Sequence, residues 1–269
     1  MNQNQALWEK GDFTEIAAFM RHSGEAVVKT LNVTPELRIL DLGCGDGTTA
    51  LPLARLGAKV TGIDIARNLV EAGNKRAGAA GLDNLRFQVG DACNLEGVAD
   101  DSFDLAISVF GAMFAPRPFD VAKELVRVTK PGGRVVMGNW IPSDPTFVSQ
   151  VLKISSAFTP PPPEGFVSPM TWGIESHIVE RFGQAGVPAG KISLQKDTFH
   201  FISSDKTPTQ FIDLFRRFYG PTMNAFDAAQ KDGREEELHR QLVDLANSQN
   251  TTSKGTSIPA TFLRVTVSL

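Results

Sequence analysis

The first half of the chain alternates short apolar runs with stretches of helical period. The apolar runs have the length and composition of buried strands and lie at 38–42, 59–64, 85–89, 103–109 and 134–138. The helical stretches between them end at Gly57, at Gly81 and at a turn over 131–133. Strands that alternate with helices are typical of an α/β fold, in which each helix connects two parallel strands by a right-handed crossover. Its sheet is doubly wound and mostly parallel, with helices on both faces.

Beyond Trp140 the alternation stops. Residues 141–173 are rich in Pro and Phe, and four consecutive prolines at 160–163 favour an extended polyproline conformation. A helix is then predicted near Ile174, a strand at 191–203 and a last strand at the end of the chain, with two amphipathic helices between these strands.

We therefore expect one domain, 1–269, in which two insertions follow the core. Long insertions between core elements usually cover a site. The predicted parts are N-terminal helices over 1–37, a cofactor-binding core over 38–140, lid insertions over 141–180 and 205–257, and a final strand over 258–269.

Composition and charge exclude several classes of protein. Hydrophobic residues make up 42% of the 269 residues and charged residues 21%, as in globular chains. The net charge of -3 provides no positive field for nucleic acid. The longest apolar run, 105–115, is shorter than the roughly 20 residues of a membrane span, and the amino terminus lacks the pattern of a signal peptide. Two cysteines are too few for a disulfide scaffold or a zinc site. We expect a cytoplasmic protein with no metal, no nucleic-acid partner and no membrane span.

A glycine loop follows the first strand and is the most informative segment. The strand runs into Gly43, Gly45 and Gly47 and then into a helix, so backbone amides face a ligand at the carboxyl end of the strand. The dinucleotide fingerprint G-x-G-x-x-G requires Gly or Ala at position 48, where this chain has Thr. The glycine pattern alone therefore leaves the ligand open.

Acidic residues distinguish the candidate ligands better than the glycines do. Asp41 and Asp46 lie in or beside the loop, and no Lys or Arg occurs between 39 and 54, which disfavours a pyrophosphate. A ligand with an ammonium and a sulfonium, such as S-adenosylmethionine, is attracted to acids instead. Asp64 ends the second strand about 20 residues past Gly43, the spacing at which a carboxylate meets ribose hydroxyls. Asp91 follows the third strand, so carboxylates at the carboxyl ends of three adjacent strands face one crevice.

These segments resemble those of a known family over residues 8–140. The matching segments are 41–47, Asp64, 90–92, 101–104 and 128–133. They resemble the class I S-adenosylmethionine-dependent methyltransferases, in particular the ubiquinone and menaquinone biosynthesis branch. The resemblance implies a Rossmann-like sheet of seven strands, mostly parallel with an antiparallel final strand, and S-adenosyl-L-methionine as cofactor.

The resemblance also implies a role for each matching residue. Gly43 and Gly45 would lie against the methionine part of the cofactor, with Cys44 in the same loop and Asp41 beneath the amino group. The ribose hydroxyls would bind Asp64. The remaining implied contacts are Ile65 packing on the adenine, Asp91 and Ala92 bonding to it, and Ser108 and Val109 flanking the cofactor where substrate enters. A nucleophilic Cys44 is the weaker interpretation, since no base lies near it in sequence.

Aromatic and apolar residues are candidates for an acceptor pocket, although core packing explains most of them equally well. They are Phe13, Met113, Phe114, Trp140, Phe166 and Tyr219. His177 lies close to the apolar stripe of its helix, beside a Trp-Gly turn. It is the candidate for a catalytic or pocket histidine, with a structural role as the favoured alternative.

Methyl transfer from a sulfonium is an in-line displacement that requires positioning, and a general base only for a protonated acceptor. Adenine or amide methyltransferases carry Pro-Pro-aromatic after strand four, where this chain reads Ser-Val-Phe-Gly, and cytosine chemistry needs a Cys there. The predicted acceptor is a small apolar or aromatic molecule, methylated at O, N or C. The alternative is an S-adenosylmethionine-binding protein without methyl transfer, and a nicotinamide oxidoreductase is disfavoured. A homodimer is possible.

Overall fold

The computed structural model describes residues 3–269, which contain one seven-stranded sheet. The strands are β1 (Arg38–Leu42), β2 (Lys59–Asp64), β3 (Leu85–Val89), β4 (Phe103–Val109), β5 (Thr129–Trp140), β6 (Ile192–Ser203) and β7 (Thr256–Ser268). Their spatial order is β3-β2-β1-β4-β5-β7-β6. Strands β1 to β5 are parallel, whereas β7 is antiparallel to both β5 and β6. The predicted Rossmann-like sheet with an antiparallel final strand is confirmed.

Ten α-helices surround this sheet in the described part of the chain. They are α1 (Gln3–Glu9), α2 (Thr14–Lys29), α3 (Ala50–Arg55), α4 (Arg67–Ala79), α5 (Pro118–Val128), α6 (Phe147–Ser156), α7 (Glu175–Gln184), α8 (Pro208–Phe218), α9 (Gly220–Lys231) and α10 (Glu235–Gln249). Helix α4 buries Leu69, Val70, Gly73 and Ala77, which gives the helical period expected from the sequence. The apolar side chains of the sheet and helices form two core clusters. Among residues 3–269, no helix has both the length and the apolar character needed to cross a membrane.

Two helices are missing from the sequence prediction. The segment between β6 and β7 holds three helices rather than the predicted two. Helix α9 was missed because its buried stripe consists mainly of small residues such as Ala225 and Ala229. Helix α6 lies in the Pro- and Phe-rich segment, and two of its buried positions are Ser149 and Ser155. Small and polar residues in a buried stripe weaken the hydrophobic period by which a helix is found.

Strand β5 begins five residues earlier than predicted, at Thr129. The expected turn over 131–133 lies inside the strand, where the pairing of β4 with β5 changes register between Phe103 and Leu105. Gly132 adopts a φ of +79° at this irregularity. The Pro-Gly-Gly sequence therefore makes a bulge in a continuing strand instead of a turn before it.

The chain order of the strands reverses between β1 and β4. At such a point the loops after the two strands separate and leave a crevice at their carboxyl ends. Here the two loops also touch backbone to backbone. A Cβ added to Gly43 would lie 2.6 Å from the carbonyl carbon of Gly111, and one added to Gly111 would lie 2.1 Å from the Gly43 oxygen. Glycine at both positions permits this close approach.

The N-terminal segment packs against the helices inserted between β6 and β7. A Cβ on Gly11 would lie 2.4 Å from the carbonyl oxygen of Phe218, and a Cβ on Gly220 would lie 2.5 Å from that of Leu7. Lys10 Nζ also donates to Asn224 Oδ1 at 2.7 Å. The insertion leaves the sheet at Ser203 and returns at Thr256, which are paired neighbours in the β6–β7 ladder.

Candidate active site

A cavity opens at the carboxyl ends of β1 and β4. Its empty space is about 1220 Å³ when counted out to its mouth. One side is formed by the strand-end loops and includes Gly43, Cys44, Gly45, Asp46, Thr48, Thr49, Asp64, Ile65, Gly90, Asp91 and Ala92. The other side is apolar and includes Trp8, Phe13, Met20, Phe110, Phe114, Trp140, Val148, Val151, Leu152, Phe199, Phe201, Phe215 and Tyr219.

The glycine loop presents bare backbone to this cavity. It is held against the end of β2, since the Gly43 N–H donates to the Ile63 carbonyl at 2.7 Å and the Gly45 N–H to Asp64 Oδ2 at 2.8 Å. Gly45 has a φ of +53°, and a Cβ added there would meet no atom within 4 Å. A side chain at this position would therefore occupy space in front of the loop. The loop fits a ligand that lies directly on its backbone.

Two acidic side chains line the cavity without a salt bridge to any of the described residues. Asp64 accepts hydrogen bonds from the backbone N–H groups of Gly45 and Ala66, and burial raises the pKa of its carboxyl group. Asp91 accepts from the backbone N–H of Cys93 at 2.8 Å. Neither forms a salt bridge, so this end of the cavity favours a cationic ligand.

Asp41 lies beneath the loop and does not reach the cavity lining. Thr49 Oγ1 donates to its Oδ2 at 2.6 Å, whereas its Oδ1 is buried with no hydrogen-bond partner. Burial raises the pKa of this carboxyl group to about 7. Because Asp41 does not reach the lining, its expected place beneath the amino group of the cofactor stays a prediction.

Asp46 is neutralised by two arginines that the local sequence did not reveal. Arg21 Nη2 lies 3.2 Å from its Oδ2 and Arg76 Nη1 lies 2.9 Å from the same oxygen. These arginines come from α2 and α4. The argument from the absence of Lys and Arg between 39 and 54 therefore does not hold for Asp46, because residues outside that range neutralise it. Asp64 and Asp91 carry the electrostatic argument instead.

Ser108 ties the two loops of the crevice together. Its Oγ donates to the Leu42 carbonyl at 2.6 Å and accepts from the Ala112 N–H at 2.9 Å. It is buried and does not line the cavity, whereas its neighbour Val109 does. The geometry disfavours direct contact between Ser108 and the cofactor, because the hydroxyl group of Ser108 already bonds to β1 and to the loop after β4.

Three residues predicted for the acceptor pocket lie elsewhere. Met113 is buried in the core, outside the cavity lining. His177 lies on α7 and also outside the lining, with its Nδ1 buried and without a partner. Phe166 is 55% exposed on the surface. These positions correct the expectation that the three residues line the pocket. By contrast, Phe13, Phe114, Trp140 and Tyr219 do line it.

Both cysteines are buried and free. Burial raises the pKa of the Cys44 thiol well above its ordinary value, and burial raises that of Cys93 to about 11. Because the thiolate is the nucleophile, neither environment activates cysteine chemistry. Cys44 acts as a small side chain in the loop.

The sequence prediction missed much of the aromatic side of the cavity. Phe110 has a φ of +62°, which is rare for a non-glycine residue, and its ring stacks on Trp140 at 3.6 Å between centroids. Phe199 and Phe201 reach the cavity from β6, and Trp8 reaches it from α1. Only long-range contacts bring these residues together. Phe215 reaches the cavity from α8.

Comparisons with known proteins agree with this geometry. The profile of a family described as a methyltransferase domain matches residues 40–137. The uncharacterized protein Rv1405c of Mycobacterium tuberculosis is 32% identical over 247 residues, covering 90% of this chain and 86% of that protein. The sterol 4-C-methyltransferase strm-1 of Caenorhabditis elegans is 33% identical over 111 residues, covering 41% and 33%. The crystal structure of YcgJ from Bacillus subtilis aligns with a TM-score of 0.57 at 21% identity, over 91% of this chain and 97% of that one.

The sheet, the glycine loop and the strand-end acids define the class of protein as a class I methyltransferase. The chain belongs to the S-adenosylmethionine-dependent methyltransferase family, whose domain model matches residues 40–137. Its similarity to the uncharacterized protein Rv1405c extends over 90% of the chain. S-adenosyl-L-methionine, the methyl donor of that family, is its cofactor, as the sequence predicted. The contacts that each residue makes with this cofactor stay predictions.

Proposed function

We propose that the protein transfers a methyl group from S-adenosylmethionine to an oxygen, nitrogen or carbon atom of a small, apolar or aromatic acceptor. One observation carries this proposal: a single cavity joins the cofactor loops to an aromatic surface. The charged side chains among its lining residues are Asp46, Asp64 and Asp91, all on the cofactor side. An acceptor that enters from the other side meets apolar surface, which favours an apolar molecule.

When bound, S-adenosylmethionine supplies an electrophilic methyl group on a sulfonium. The residues of this chain bind and orient the reactants. Gly43 and Gly45 would hold the methionine part, Asp64 the ribose hydroxyls, and Asp91 with Ala92 the adenine. Positioning of this kind supplies a large part of the rate in a displacement reaction. With His177 outside the cavity, the lining offers no histidine as general base, which suits an acceptor that needs none.

Residues of both predicted lid insertions support their role on the acceptor side. Val148, Val151 and Leu152 come from the first insertion, and Phe215 and Tyr219 come from the second. The N-terminal segment adds Trp8 and Phe13. We propose that these three segments together close the acceptor pocket and exclude water from it. The closer relation to ubiquinone and menaquinone methyltransferases, the cytoplasmic location and the homodimer stay predictions.

The test has two stages, binding and transfer. Calorimetric titration with S-adenosylmethionine should show binding to the wild-type protein, and Asp64→Ala should weaken it. The protein is then incubated with S-adenosylmethionine labelled in its methyl group and a fractionated metabolite extract. We expect label in a small apolar product. Binding without label in any product would favour the alternative, a cofactor-binding protein without methyl transfer. Absence of binding would contradict both.

A further inference from the structure

Four aromatic rings from distant parts of the chain form one wall of the cavity. We call Trp8, Phe13, Phe114 and Tyr219 the aromatic wall. The centroid of the Trp8 ring lies 5.7 Å from that of Phe13, 4.9 Å from that of Phe114 and 6.0 Å from that of Tyr219. The rings meet at steep or tilted angles, so the wall supports itself without a ligand. It provides an apolar surface suited to a flat ring.

The hydroxyl group of Tyr219, on this wall, has no hydrogen-bond partner among the described residues. The Tyr219 side chain is only 7% exposed and lines the cavity. Burial raises its pKa, so the hydroxyl stays protonated and can donate. The buried hydroxyls of Thr49 and Ser108 nearby are both hydrogen-bonded within the protein. The donor of Tyr219 therefore remains available to a ligand.

A second unpaired donor lies on the same side of the cavity. Trp140 is 4% exposed and lines the cavity, with its ring stacked on that of Phe110. Its indole N–H has no hydrogen-bond partner within residues 3–269. Neither this N–H nor the Tyr219 hydroxyl is among the fully buried polar atoms without a partner, so both donors remain accessible. Unpaired donors in an uncharged surface, with the Trp8 indole as a further one, thus point to a ligand that carries hydrogen-bond acceptors and no charge.

The position of Tyr219 is fixed by backbone contacts on both sides of it. Gly220 lies against the carbonyl oxygen of Leu7, and Phe218 lies against Gly11, each at a distance that leaves no room for a side chain on the glycine. The Tyr219 ring also packs on Phe215 at 5.1 Å between centroids. A donor held this firmly is preorganised, as specific recognition requires.

We infer that Tyr219 determines the specificity for the acceptor by donating a hydrogen bond to one of its oxygen atoms, with the Trp140 indole as a second donor. The acceptor class is a flat, uncharged ring system that bears a hydroxyl or carbonyl oxygen. This inference rests on the proposed function in taking the bound molecule for a methyl acceptor. The recognised oxygen and the atom that receives the methyl group need not be the same.

The experiment compares two probes that differ by one hydroxyl group, naphthalene and 2-naphthol. Their affinities are measured by fluorescence titration for the full-length protein in the presence of S-adenosylhomocysteine, which carries no methyl group to transfer. We expect 2-naphthol to bind at least tenfold more tightly than naphthalene to the wild type. Tyr219→Phe should reduce this preference below threefold while leaving the affinity for naphthalene unchanged, because the ring remains.

Thr222→Val is the matched control, since Thr222 also has a buried hydroxyl without a partner but does not line the cavity. It should keep the wild-type preference. Equal binding of the two probes by the wild type, a preference retained in Tyr219→Phe, or no binding of 2-naphthol would overturn the inference. This binding experiment does not depend on methyl transfer. If the labelling experiment fails while the Tyr219-dependent preference is present, the proposed function fails and the recognition of an oxygen stands.

Discussion

The buried carboxyl group of Asp41 should make the stability of the protein depend on pH. Its pKa of about 7 in the folded protein compares with an ordinary value of 3.8, and the cause is burial. Folding therefore favours the protonated form. The stability that this provides is complete below pH 4 and is lost as the pH rises through 7. The two values correspond to a loss of about 4 kcal/mol in the free energy of unfolding.

Replacement by asparagine removes the titration and keeps the shape of the side chain. An amide oxygen can still accept the bond that Thr49 Oγ1 donates to Asp41. We expect Asp41→Asn to resemble the wild type near pH 4 and to exceed it by up to about 4 kcal/mol at pH 8. Urea unfolding without S-adenosylmethionine, at intervals between pH 4 and pH 8.5, measures this difference.

Asp104 offers a control of the opposite sign. Burial would raise the pKa of Asp104, but hydrogen bonds from Lys130 Nζ and the Arg38 N–H outweigh it and lower the pKa. The stability that Asp104 contributes is present above the pKa that its carboxyl group has in the unfolded chain. It is lost as the pH falls through the lower pKa of the same group in the folded protein. Asp104→Asn should therefore be less stable than the wild type at pH 8, with a deficit that shrinks in acid. A stability difference for Asp41→Asn that does not vary with pH would refute the reasoning.

Three further predictions concern the cofactor loop and its surroundings. Asp64→Ala should weaken S-adenosylmethionine binding at least tenfold, about 1.4 kcal/mol, in calorimetry; an unchanged affinity would place the ribose elsewhere. Gly81→Ala should lose about 1 kcal/mol in urea unfolding from its positive φ alone. Gly43→Ala should lose distinctly more, because its methyl group would overlap the adjacent loop, and equal losses would contradict this. Arg76→Ala should destabilise by about 2 kcal/mol, since Arg21 still pairs with the carboxylate of Asp46. Arg21→Ala should cost less, because the Arg21 side chain is farther from this carboxylate and more exposed, and the reverse order would count against the pairing.

The cofactor half of the fold could be predicted because its signals are local. Each of β1 to β4 is one apolar run, and the loop after β1 is one run of alternating glycines. The strand-end positions of Asp64 and Asp91 follow from the parallel order. In contrast, Asp41 is absent from the cavity lining because the loop covers it, and the depth of a side chain beneath a loop cannot be predicted from a sequence pattern.

The acceptor side could not be predicted to the same extent, because its residues meet only after folding. Trp8 and Tyr219 are more than two hundred positions apart, yet their rings lie 6.0 Å apart. The pairing of Asp46 with Arg21 and Arg76 joins three separate elements in the same way. His177 had a favourable local pattern, but α7 packs away from the cavity. Local period shows which face of a helix is buried and not which neighbour buries it.

The pairing of Ser203 with Thr256 has a consequence for the way this architecture can vary. The segment that holds helices α8 to α10 leaves the sheet and re-enters it at the same pair of residues, the last pair of the β6–β7 ladder. A helical segment of different length or sequence could therefore replace helices α8 to α10 without altering the register of any strand. A two-residue Asn-Gly turn would close the same hairpin with no inserted helices. New acceptor preferences can thus arise at this junction by exchange of a module, while the cofactor loops at the centre of the sheet stay unchanged.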